Sequence, residues 1–96
     1  MKQINNNEIT AGQILIPIET TSPMPGLVRR LCKVLGIDYP FAILLIIDAI
    51  AETQHTVKLS EFTFAKPTKD FIKAALPRDF HGDKVKRNVP TDFFYQ

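Results

Sequence analysis

One cysteine, no tryptophan, two histidines and four scattered glycines stand in this chain of 96 residues. Each scarcity excludes something. With Cys32 alone, no disulfide can form within the chain, and a reducing compartment is favoured. No Cys/His pair has zinc-ligand spacing, and the unclustered glycines build no phosphate-cradling loop. A Gly-x-Ser-x-Gly nucleophile elbow is absent as well. The longest apolar run, 41–51, is interrupted by Asp48 and falls far short of the roughly 20 residues that span a bilayer. Residues 1–8 are polar and Asn-rich, without the apolar core of a secretory signal. These features point to a soluble protein of the cytoplasm with no membrane partner.

What is present describes one ordinary globular domain. Hydrophobic residues make up 45% and charged residues 23%, and a chain of this length holds a single core. Domains this small bury only about two-thirds of the surface their unfolded chains expose, so self-association is a common remedy. The net charge is only +2, too small to argue for nucleic acid by itself. Its distribution is uneven. Seven basic and three acidic residues fall between Lys66 and Arg87, leaving the rest of the chain slightly acidic.

The periodicities predict an α+β domain: about three helices on a short sheet of two or three strands, with an all-α arrangement as the alternative. Residues 1–8 read as a flexible lead-in, 9–80 as the domain, and 81–96 as a basic then aromatic tail. Ile14, Ile16 and Ile18 alternate as in a strand, and Pro17 argues for a sheet edge. Ser22 and Pro23 open a predicted helix to Leu35, closed by Gly36. Asp38 caps a second predicted helix, about 39–53, that is apolar nearly all round, a buried strand being the rival reading. Val57 and Leu59 alternate, as do Phe62 and Phe64, but the phase slips between the pairs, as in a bulged strand or two short ones. Thr68 then caps a third helix, about 68–76, with Phe71, Ile72, Ala75 and Leu76 on its apolar side.

Three groups of residues invite a chemical reading. On a helix reaching position 55, Asp48, Glu52 and His55 would share one stripe, and Glu52-x-x-His55 has the spacing found in carboxylate-bridged metal bundles. That arrangement needs a second copy and two further carboxylates, so the stripe reads as a solvent-facing one. Cys32 next to an apolar face reads as a small core residue rather than a nucleophile. The basic residues Arg29, Arg30, Lys33, Lys69, Lys73, Lys84, Lys86 and Arg87 would contact phosphates if the helices formed a distorted winged helix-turn-helix. The intervening Asp70, Asp79 and Asp83 dilute that field.

The tail carries the remaining signal. Phe93, Phe94 and Tyr95 are consecutive aromatics, each costing about 1.5–3 kcal/mol to leave in water. They either fold back on the chain's own core or dock on a partner; with the apolar second helix, they lead the sequence to predict a non-enzymatic protein–protein interaction module that associates with itself and with another protein. Phe93, Phe94 and Tyr95 would be the anchors, and Ile46 and Ile50 the subunit contacts. A small nucleic-acid-binding regulator is the alternative. No catalytic residue, metal, cofactor or small-molecule substrate is expected.

Overall fold

The longest apolar run is a strand. In the computed structural model, which describes residues 1–85 and 87–90, the chain forms a six-stranded antiparallel sheet with one short helix. The strands are β1 (Lys2–Ile4), β2 (Ile14–Thr20), β3 (Cys32–Asp38), β4 (Phe41–Ile46), β5 (Thr53–Lys58) and β6 (Phe62–Lys66). Their order across the sheet is β1-β6-β2-β3-β4-β5. The helix α1 spans Lys69–Ala75.

This overturns the expectation of an α+β domain with about three helices. The segment read as a first helix is a 3-10 turn at Pro25–Leu27 followed by β3. The segment read as a second helix is β4 and the loop into β5. The reason lies in what each element must bury. A helix apolar all round needs cover all round, whereas a strand has only two faces. In β4, Ala42, Leu44 and Ile46 enter one core while Leu45 enters a second core on the opposite face. A strand buried on both faces reads as a continuous apolar run. Asp38 and Pro40 belong to the tight β3–β4 connection, which contains a cis Tyr39–Pro40 peptide. Gly36 sits where β3 shifts register against β4 rather than at a helix end.

β2 is an inner strand, not the edge that Pro17 implied. It pairs with β3 only at Ile14 and Leu15, and has left that neighbour before Pro17. Its register against β6 shifts between Pro17 and Glu19. The proline thus occupies an irregularity where its missing N–H interrupts no continuous ladder on the β3 side. There its carbonyl accepts the Arg29 N–H at 2.7 Å.

The third helix forms as expected. The Thr68 hydroxyl accepts the Phe71 N–H at 3.1 Å, a side-chain N-cap. The helix lays Ile72 and Leu76 on Ile16, Leu31, Leu45, Ile47 and Val89, which closes one face of the sheet. The other face folds around Leu15, Cys32, Val34, Leu44, Leu59 and Phe64. The slip between Val57-Leu59 and Phe62-Phe64 is a 3-10 turn at Leu59–Glu61, which carries the chain from β5 to β6 on the far side of the sheet. Residues 1–8, read as a lead-in, carry β1 and a 3-10 turn at Asn6–Glu8.

Candidate functional site

Residues 35–43 hold an unusual share of the exposed apolar surface. Nine large hydrophobic residues are exposed among the described residues, and five of them are Leu35, Ile37, Tyr39, Phe41 and Ile43. All five lie at the free end of the β3–β4 hairpin.

The ladder explains how they come together. Antiparallel pairing aligns Asp38, Phe41 and Lys58 in one row across β3, β4 and β5. The next row is Gly36, Ile43 and Thr56, and the third is Lys33, Leu45 and Gln54. Opposed residues share a face and every second residue of a strand returns to it. Phe41 and Ile43 therefore lie on the face whose other end is closed by α1 and Val89. That cover reaches Leu45, which is 9% exposed, and stops before Ile43 at 40% and Phe41 at 45%. Gly36 opposes Ile43 with no side chain, and Thr56 flanks it with a short one. A hollow of about 180 Å³ lies here, lined by Asp38, Phe41, Ala42, Ile43 and Thr56. Asp38 and Lys58 supply a polar rim of both signs, the usual arrangement around an apolar contact patch. Ile37 opposes Ala42 and so belongs to the opposite face of the same hairpin.

β5 bounds this surface. It pairs with β4 from Thr53 to Lys58 without a register shift, and among the described residues no strand follows it in the sheet. The Leu59 N–H donates to the Pro40 carbonyl at 2.9 Å, which sets the phase of the ladder. Residues 53, 55 and 57 turn their backbone groups toward β4. Gln54, Thr56 and Lys58 turn theirs outward.

The residues singled out from sequence are differently placed. Phe93, Phe94, Tyr95 and Lys86 lie outside the described residues. Ile46 is buried in the core at 7% exposure, so its side chain is already covered within one chain. Ile50 is exposed in the loop between β4 and β5, and its carbonyl accepts from Arg87.

Asp48 and Glu52 belong to the same loop and not to a helical stripe. Asp48 holds Arg30 through two guanidinium nitrogens at 2.8 and 2.9 Å and also accepts the Leu31 N–H at 3.1 Å. The hydrogen bond to Asp48 raises the pKa of Arg30 further. Glu52 binds Arg87 at 3.0 Å and accepts from Asn88. His55 instead meets Thr53, at 3.1 Å. Among the described residues no three metal-ligating side chains converge.

Several of the basic residues serve the fold. Lys84 donates to the carbonyls of Ala74 and Leu76, at the C-terminal end of α1. Lys69 and Lys73 stand on α1, Lys33 is half-buried on β3, and Arg29 is exposed with a positive φ of 68°. Among the described residues there is one α-helix, of seven residues, and so no helix-turn-helix. Cys32 is fully buried, and that burial pushes its thiol up to about 12. A hollow of about 340 Å³ elsewhere sets one charged side chain, Arg29, against the apolar Met1, Ile16, Ile18 and Phe71.

Sequence reasoning missed the hairpin surface. Its signal was the alternation through Phe41, Ile43 and Leu45, legible once that segment is taken as a strand. No protein-family model, curated protein or solved structure matches the chain.

No helix in the described residues is long and apolar enough to cross a membrane.

Proposed function

We propose that this chain is a non-enzymatic, self-associating protein–protein interaction module that binds through the open end of its sheet. The observation carrying this reading is the exposure of Phe41 and Ile43 side by side on one face of a hairpin that also exposes Leu35, Ile37 and Tyr39, next to a strand with nothing paired beyond it among the described residues. Contiguous apolar surface with a polar rim marks interaction sites, whereas single exposed apolar residues do not. Aromatic residues such as Tyr39 and Phe41 are also the side chains that most often anchor an interface. The site supplies shape and apolar area.

The test is light scattering on a sizing column over about a hundredfold range of concentration. The natural chain is compared with a Phe41→Ser/Ile43→Ser double variant. The natural chain should associate, and the variant should need about tenfold more protein to do so, a loss of about 1.4 kcal/mol. A natural chain that stays monomeric throughout, or a variant that associates equally well, overturns the reading.

A further inference from the structure

We infer that a second copy of this chain adds to the edge of β5, antiparallel, about a two-fold axis at Thr56. The inference rests on the interaction module proposed above and specifies its partner and its register.

The two edges of the sheet differ in how they are protected. β1 is only three residues long. β5 is six residues long, and its sequence Thr53-Gln54-His55-Thr56-Val57-Lys58 contains no proline and no bulge against β4. Short length, proline, bulges and charge are the devices that keep strand edges from pairing with other chains. β5 retains only one of them, the charge of Lys58. Its outer side offers the N–H and C=O groups of Gln54, Thr56 and Lys58, and all three residues are exposed.

That outer side is complementary to itself. In an antiparallel pair centred on Thr56, Thr56 opposes Thr56 of the second copy, and Gln54 opposes its Lys58. All three outward residues of each copy then take part, giving about six backbone hydrogen bonds. Centring the axis on Lys58 would set like charges directly opposite, which is destabilising. Centring it on Gln54 or His55 would leave outward groups of β5 unused. With the axis at Thr56, the two lysines lie about 13 Å apart along the strands. Thr–Thr is a favourable cross-strand pair. The stripe Ile43–Thr56 on each copy becomes one stripe across the joint, so the incoming strand also shields the flank of the apolar hollow. A two-fold contact of this kind closes on itself and stops at two copies.

The register predicts which introduced thiols can meet. Hydrogen-bonded antiparallel partners have Cα atoms about 5.5 Å apart, inside the range a disulfide bridges. On mild oxidation, Thr56→Cys should give a covalent dimer, and Gln54→Cys alone should not. A mixture of Gln54→Cys with Lys58→Cys should give the mixed dimer. Cys32 is fully buried and does not compete. Independently, Thr56→Pro removes an outward N–H while leaving the β4–β5 ladder intact, and should be monomeric with an unchanged circular dichroism spectrum. If the natural chain associates but Thr56→Cys does not cross-link, this inference fails and the interaction module stands. Association that survives in a folded Thr56→Pro has the same meaning. If the natural chain is monomeric, both fail. The cysteine series decides the matter even where the proline variant is unfolded.

Discussion

Thr56 stands opposite Ile43 in the last ladder of the sheet, and its own N–H and C=O point away from that ladder. The pair joins the two features on which the proposed function depends. On one side lies an apolar face whose cover ends at Leu45. On the other lies a strand edge with nothing paired to it among the described residues. Neither feature is unusual alone, since single exposed apolar residues are normal and every open sheet has edges. Their adjacency gives a partner strand both backbone bonds and apolar area.

The two faces of β4 should respond oppositely to substitution. Leu44 is fully buried, and Leu44→Ala should cost about 2–5 kcal/mol of stability. Phe41→Ser/Ile43→Ser should cost less than Leu44→Ala in the monomer, because both side chains are already partly in water there. Urea unfolding at low protein concentration checks both values. Equal losses would mean that Phe41 and Ile43 are core residues.

Asp48 ties the β4–β5 loop to the start of β3 through Arg30 and the Leu31 N–H. Asp48→Ala removes the acceptor from both and should cost about 1–3 kcal/mol, while Asp48→Asn, which keeps an acceptor oxygen, should cost less. Thermal unfolding of the two variants checks the order. A neutral Asp48→Ala would show that the contact contributes nothing to stability.

Cys32 makes stability depend on alkaline pH. Burial holds its thiol at about 12 in the folded chain, against an ordinary 9.0. Below pH 9 the thiol is neutral in both states and this contribution is fully present. Between pH 9 and about 12 the unfolded chain gives up a proton that the folded chain retains, so stability falls as pH rises. The slope should approach about 1.4 kcal/mol per pH unit. Denaturant unfolding across that range should show a shallower decline for Cys32→Ala than for the natural chain. Identical slopes would remove the thiol from the account.

How much of this was legible in the sequence depended on how local each signal was. The Thr68 cap and the i, i+4 apolar pairs of α1 are local, and that helix forms where they place it. The alternation of Ile14, Ile16 and Ile18 is local too and marks β2. The phase slip near Ser60-Glu61 marked the break between β5 and β6. The strand β4 was obscured because both its faces are buried, at Leu44 on one side and Leu45 on the other, by elements distant in sequence. Pro40 and Gly36 then served as turn and register shift, where the same residues also suit helix ends. The candidate surface was the least legible part. Phe41 and Leu45 share a face and an apolar character. Only the reach of α1 and Val89 over Leu45, set by the tertiary fold, leaves Phe41 and Ile43 open.

The most direct test of the interaction surface is amide chemical shift followed residue by residue on dilution. The account predicts concentration-dependent shifts concentrated in residues 35–43 and 53–58, with α1 and β1 unaffected. Shifts confined to α1 or β1, or none over about a hundredfold dilution, would contradict it.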